Sequence, residues 1–301
     1  MIITEIYNGQ GLGNQIACYV TTRVVAKDKG CDFGIMNPHK FKGSSFMNLD
    51  MGLPVIGGEG PEGGPPTRLP EGIKYYFREW WEKHRLPDGS NIMLDDPGLE
   101  QIQDNTKIDG VLQSETRIIH RKDEIKEWLK VDKDKDNYNY SDEDTCILAF
   151  RGGEYKYVPQ FFLRKEYWID SVNHMLKINP KFKFVVVTDD PECARAFFPP
   201  SFHVTHSEIW NDYTIIKNAH YLISSNSSFP YFPTLTSDTL KYVLAPKYWA
   251  RHNISDGYWS CGYNIYRGYN YVDREGKVSS YEDCVKEFED YKKKVSYYEN
   301  V

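Results

Sequence analysis

The chain has 301 residues, with 43 acidic against 37 basic side chains for a formal charge of −6, and is 40% apolar. That balance excludes a nucleic-acid or anionic-membrane surface as the main partner, and no run approaches the roughly 18 apolar residues that cross a bilayer. The length predicts two domains of about 150 residues each.

The 23 tyrosines and 7 tryptophans suit surfaces that meet sugars or partners, since their rings are amphipathic. Cys18, Cys31, Cys146, Cys193, Cys261 and Cys284 are widely spaced without a Cys-x-x-Cys pair. Reduced thiols are therefore expected, with neither zinc nor a disulfide framework. With no charged and apolar leader at the start, the expected compartment is the cytoplasm.

In chain order, the run Ile2 to Tyr7 predicts a strand. It is followed by the turn Gly9-Gln10-Gly11-Leu12-Gly13-Asn14-Gln15 and a helix from near Asn14, with Ile16, Val20 and Val24 at helical spacing. The turn is either a plain strand-to-helix connection or an anion site built from backbone amides. It is neither a dinucleotide fingerprint nor a Walker loop. A second strand is expected at Cys31 to Met36. The Gly/Pro-rich stretch Gly57 to Gly72 reads as a disordered surface loop or a substrate lid. Trp80 and Trp81 follow, then a strand at Ile108 to Leu112 and a helix at Asp123 to Leu129. Residues 132–143 imitate an EF-hand loop but place Asn137 where the glycine must be, so they read as a solvated linker.

Beyond the linker the pattern alternates. Strands are expected at Thr145 to Phe150, Phe182 to Val187, Phe202 to Thr205, Tyr221 to Ser224 and Tyr242 to Ala245. Helices are expected at Phe161 to Leu176, Glu192 to Phe198, Asp212 to Ala219 and from Ser227. This rhythm predicts a doubly wound parallel sheet, whose ligands bind beyond the carboxyl ends of the strands. Four groups fall at those ends: Arg151-Gly152-Gly153-Glu154, Thr188-Asp189-Asp190, Asp212, and Ser225-Asn226-Ser227-Ser228-Phe229. An arginine beside glycines, opposite a Ser-Ser helix start, can hold a diphosphate without a metal. A carboxylate at Asp212 can accept two bonds from a guanine edge. The plainer readings are helix caps for Asp212 and Ser227, an ion pair for Arg151, and a turn or metal pair for Asp189-Asp190.

With these motifs in place, the chain resembles an α-1,2-fucosyltransferase of the bacterial and viral type, within the group that also holds α-1,6- and protein O-fucosyltransferases. Gly11 to Gln15 match a Gly-Leu-Gly-Asn-Gln motif, and Gly110 to Glu115 resemble a Gln-Ser-Glu segment. Ala149 to Tyr155 resemble His-x-Arg-x-Gly-Asp-Tyr. Val186 to Asp190, Asn226 to Phe229, and Ala245 to Trp249 follow in order over roughly residues 1 to 250. The resemblance implies two Rossmann-like α/β domains facing a cleft, the glycosyltransferase B architecture. It divides the chain into an acceptor-side domain (1–131), a linker (132–143), a nucleotide-sugar domain (144–256) and an extension (257–301). Residues 280–295 read from their spacing as an amphipathic helix with Val285, Phe288 and Tyr291 on one face, expected to dock on the body.

The same resemblance implies an inverting, metal-independent transfer of fucose from GDP-fucose to a glycan hydroxyl, such as a galactose 2-OH. The GDP-sugar is a co-substrate and no further cofactor is expected. Arg151 and Gly153 would grip the diphosphate with Asn226, Ser227, Ser228 and Phe229. Asp212 would read guanine beside Asp189, and Gly11, Gly13, Asn14 and Gln15 would reach the sugar-phosphate. The base is open among His39, Glu115 and the departing phosphate oxygen. Ala149, Gly152, Glu154, Pro230 and Tyr231 depart from the family pattern, which points to a divergent member. Two alternatives follow: a transferase using another nucleotide sugar, and a glycan-binding module built on Trp80-Trp81 and the tyrosines of Tyr258 to Tyr271.

Overall fold

The opening apolar run forms strand β1 (Ile2–Glu5), and helix α1 (Leu12–Asp28) follows a turn in which Gly11 is the extended N-cap. The computed structural model describes residues 1–79, 98–254, 257, 259 and 262–294; Trp80, Trp81, Tyr258 and Cys261 lie outside them. Two units result, Met1–Lys135 and Asp136–Val301.

The first unit continues with β2 (Phe33–Met36), β3 (Tyr75–Arg78), α2 (Gly98–Gln101), β4 (Thr106–Asp109), α3 (Glu115–Ile118) and α4 (Lys122–Trp128). Its sheet runs β2-β1-β4-β3 with every pairing parallel. One face carries Ile2 and Ile108, packed with Cys18 and Ala26 of α1 and with Leu99 and Leu112. Strand alternation turns Glu5, Lys107 and Asp109 to the other face.

The Gly/Pro-rich stretch is not a disordered loop. Glu59 and Arg68 form a backbone bridge, with Glu59 N–H donating to Arg68 O at 2.9 Å. Glu62 pairs with Lys40 and accepts from the Asn8 amide. Gly63, at φ +66°, lies against the Tyr7 ring, where a Cβ would come within 2.7 Å. The loop is thus seated on the residues that follow β1.

The second unit contains β5 (Thr145–Phe150), α5 (Lys165–Ile178), β6 (Lys183–Thr188), α6 (Pro191–Phe197), β7 (His203–Thr205) and α7 (Ile209–Lys217). Then come β8 (Tyr221–Ser224), α8 (Tyr231–Leu235), β9 (Tyr242–Pro246), β10 (Tyr269–Val272), β11 (Val278–Ser279) and α9 (Tyr281–Lys294). The strand order is β11-β10-β9-β8-β5-β6-β7, parallel except for β11. Reading β5 as strand one gives 3-2-1-4-5-6, the order of a doubly wound nucleotide-binding sheet. Every residue of β5 is buried, as expected of the central strand of a sheet covered on both faces.

Four local differences from the sequence reading have physical causes. The stretch 132–143, read as a solvated linker, is tied down at Asp136, which accepts from Asn218 at 2.7 Å and from Lys217 at the end of α7 at 2.9 Å. The tyrosines of the tail are core. Tyr263, Tyr266, Tyr269 and Tyr271 are buried, with the Tyr269 hydroxyl on Thr234 at 2.6 Å and Tyr266 stacked on Tyr231. Consequently the segment after 257 is part of the second unit: β10 and β11 extend its sheet, and α9 buries Cys284 and Phe288. Finally, Ser227 opens no helix, since α8 begins only at Tyr231, beyond Pro230. No helix among the described residues is long and apolar enough to cross a membrane, and Cys18, Cys31, Cys146, Cys193 and Cys284 are free thiols.

Candidate active site

Strand register assembles the second unit's carboxyl edge. Ala149 pairs with Ser224, Phe150 with Thr188, and Val187 with Thr205. Beyond these pairs, Arg151 follows β5 and bonds Asp189, which follows β6; Asn226 lies two residues after β8, and His206 directly follows β7. The boundary between β5 and β8 is where the winding reverses, and the crevice of such a sheet opens there. Arg151-Gly152-Gly153 and Ser225-Asn226-Ser227-Ser228 flank it.

Arg151 is held from two sides. Its guanidinium bonds Asp189 and Glu154, the latter at 2.5 Å, and lies 5.4 Å from the Tyr155 ring. Burial works against its charge, but Asp189 and Glu154 outweigh it and hold the group above its ordinary pKa. The two glycines admit this arrangement. Asp189 Oδ1 accepts from the Gly152 amide at 2.9 Å. A Cβ on Gly152 would come within 2.7 Å of the Asp190 Cβ, and one on Gly153, at φ +26°, within 2.4 Å of Asp189 Oδ2. Asp190 takes a different task. It caps α6 through the Cys193 amide at 3.0 Å and pairs with Lys156 at 2.6 Å, which holds its carboxyl below the ordinary value. It is therefore a cap and an ion-pair partner.

Across the crevice, Asn226 donates to Phe161 O at 3.0 Å, while its Oδ1 is buried with no hydrogen-bond partner among the described residues. Ser227 Oγ accepts from the Phe229 amide at 3.3 Å, and Phe229 meets Tyr213 of α7 edge-on. Asp212 does not open a helix. Glu208 is the N-cap of α7, and Asp212 sits buried in the first turn with Oδ2 2.7 Å from His206 Nδ1. Burial raises its pKa, tempered by His206 and the Ser207 amide.

The first unit's switch point, between β1 and β4, gathers other expected residues. Leu112 is in the left-handed region at φ 52°, pinned by its amide to Glu79 at 2.7 Å and by its carbonyl to Thr21 at 2.8 Å. This positions Gln113, whose amide donates to Asn14 Oδ1 at 2.7 Å. Gln15 is fully buried and occupied within the unit, donating to Lys40 O at 3.0 Å and accepting from the Lys42 amide at 2.9 Å. Its place is therefore to hold the 38–42 turn rather than to face a ligand. Gly11 is exposed, and a Cβ there would meet nothing within 4 Å. Gly13 is buried in α1. His39 is exposed on the turn after β2, whereas Glu115 is buried at the start of α3.

A charged group outside the sequence reading lies on the same edge. Lys107 Nζ is 2.9 Å from Glu5 and 3.0 Å from Asp109, and Asn37 donates to Glu5 at 3.1 Å. Burial raises the Asp109 pKa, tempered by Lys107 and Tyr76. The available signal was the alternation Lys107-Ile108-Asp109 in an otherwise buried strand.

No family model matches the chain, and no curated protein does. Solved structures do align with it. The crystal structure of a NodZ α-1,6-fucosyltransferase soaked with GDP-fucose covers 78% of this chain and 92% of its own, at 13% identity and a TM-score of 0.43. The same enzyme co-crystallized with GDP gives the same coverages and identity with a TM-score of 0.44. Fucosyltransferase NodZ from Bradyrhizobium gives 14% identity over 78% of this chain and 92% of its own, with a TM-score of 0.45. At these values the likeness is remote, and the chemistry has to be read from this chain's own residues.

Proposed function

We propose that the protein is a glycosyltransferase that takes its sugar from a nucleoside diphosphate, with GDP-fucose as donor and a glycan hydroxyl, such as a galactose 2-OH, as acceptor. The observation that carries the reading is the β5/β8 switch point of a 3-2-1-4-5-6 sheet, with Arg151 directly after β5 and Asn226 two residues after β8 at the same sheet edge. The choice of fucose rests on the ordered motif resemblance from Gly11 to Trp249. In the reaction the acceptor oxygen bonds the anomeric carbon as the carbon–phosphate oxygen bond breaks, with inversion, and GDP departs. Charge grows on the diphosphate, so Arg151 stabilises the transition state more than the ground state. The scheme needs no metal. The acceptor proton passes to a base, open among His39, which is exposed, Glu115, which is buried, and the departing phosphate oxygen.

One observation favours a second reading, a donor other than GDP-fucose. Arg151 already faces two carboxylates, and the position beside it is Gly152 rather than a second arginine. A diphosphate must displace at least one of them. The glycan-binding alternative loses its tyrosine tail to the core, and its Trp80-Trp81 pair lies outside the described residues.

A melting screen against GDP, UDP, CMP and GDP-sugars tests the proposal. A ligand at 100 times its dissociation constant stabilises the fold by about 2.7 kcal/mol. A shift with GDP or GDP-fucose is expected; no shift with any nucleotide overturns the reading.

A further inference from the structure

His206, at the carboxyl end of β7, has no role in the reading so far. His206 follows the strand directly, with its side chain 36% exposed, and its Nδ1 lies 2.7 Å from a carboxylate that is 8% exposed. A carboxylate only accepts, so Asp212 takes the Nδ1–H bond. In the neutral ring this leaves Nε2 bare, an acceptor on the opposite side of the imidazole. Asp212 is thus spent on orienting a neighbour, and its Oδ1 is buried.

Position gives this dyad its meaning. Register sets His206 beside Thr188, which pairs with Phe150, so Arg151 and His206 stand two strands apart on one edge, about 10 Å. In a doubly wound sheet the turn after strand one holds the diphosphate, and the nucleoside lies over the ends of strands two and three. Here those are β6 and β7.

We infer that His206, not Asp212, meets the nucleobase, accepting a ring N–H through Nε2, and that Asp212 is a positioning residue that fixes the tautomer. This rests on the reading of the β5/β8 crevice as a nucleoside diphosphate site. It also makes a chemical distinction. A carboxylate facing guanine would accept from both the ring N1–H and the exocyclic amine, whereas one imidazole nitrogen accepts a single bond. Specificity is then for bases that carry a ring N–H, and the exocyclic amine goes unread.

Three purine diphosphates with identical phosphates separate the possibilities. GDP has the ring N–H and the amine, IDP keeps only the ring N–H, and ADP has no ring N–H to give at that position. By titration calorimetry, the wild-type protein is expected to bind GDP and IDP alike and ADP about tenfold more weakly, the size of one hydrogen bond. His206→Ala should remove the preference by weakening GDP and IDP to the level of ADP. His206→Gln, which keeps an acceptor near the Nε2 position, should restore part of it. Asp212→Asn should narrow the ratio while ADP still binds, a change that loss of packing alone would not produce. The inference is overturned if IDP falls with ADP, or if His206→Ala keeps the wild-type ratio. Should none of the three bind the wild-type protein, the crevice reading falls as well; binding without preference sinks only the His206 assignment.

Discussion

Lys107, Glu5 and Asp109 end the first sheet with side chains 2%, 11% and 8% exposed, whereas Arg151, Asp189 and Glu154 end the second at 30%, 29% and 67%. The topology is similar, a parallel sheet with a winding reversal, yet the charges are treated in opposite ways. Inside, a pair must stay intact, because any partner left alone is an uncompensated buried charge. At the surface each pair is worth about 0–1 kcal/mol. Arg151 can therefore exchange a carboxylate for a phosphate at small cost, and Lys107 cannot exchange at all. The first edge is built to hold its shape and the second to change partners.

The strongest way to break this comparison is Lys107→Met. It leaves two carboxylates facing each other without a cation, and should destabilise the protein by about 3–5 kcal/mol. Denaturant titration at pH 7 measures it. A loss below about 1 kcal/mol would mean that the first edge is as loosely tied as the second.

Arg151→Ala should do the converse. Melting should change little, since the pairs lost are partly solvated, while turnover should fall at least about 10²-fold, equivalent to about 2.7 kcal/mol of transition-state stabilisation. Near-normal turnover would remove Arg151 from the mechanism.

The contrast between the two edges also explains what was legible in the sequence. The central strands of the second unit announce themselves, because burial on both faces demands apolar runs such as Thr145–Phe150 and Lys183–Thr188. Arg151 was visible as a polar residue at the end of the first of these runs, and Asn226 just beyond Tyr221–Ser224. Strand β10 was not, since a strand of tyrosines is indistinguishable from an amphipathic surface until partners such as Thr234 and Asn264 are found for the hydroxyls. Asp212 was legible as a carboxylate but not as spent on His206, because six residues of spacing across a strand-to-helix turn do not encode that contact. The Glu5–Lys107–Asp109 group joins residues 102 and 104 positions apart, and only strand register unites them.

A finer test of the first edge is its pH dependence. Asp109 has a raised pKa in the fold, chiefly from burial. Its contribution to stability is therefore fully present below the unfolded value of about 3.9 and is lost as pH rises through the folded one. The wild-type protein should lose stability relative to Asp109→Asn over that window, by up to about 1.4 kcal/mol per pH unit. Lys107, Glu5 and Tyr76 face the same carboxyl and are present in both proteins, so the difference isolates Asp109. A wild-type protein that instead gains stability relative to Asp109→Asn as pH rises would show that Lys107 outweighs burial.

The smallest effect on the fold belongs to Gly11, where the two functions of an edge, holding shape and meeting a ligand, can be separated within one residue. Its φ of −70° and ψ of 159° suit any amino acid, and an added methyl would touch nothing. Neither conformation nor packing therefore requires glycine there. Gly11→Ala should cost no more than about 1 kcal/mol, the difference between these residues as N-caps. If the turn leaves its amides clear for an anion, the methyl must intrude on that anion alone, and turnover should fall while the melting temperature holds. Equal turnover would reduce the Gly9 to Gln15 turn to a connection between β1 and α1. A matched loss of stability and activity would mean instead that Gly11 matters as the N-cap of α1 rather than as a ligand contact.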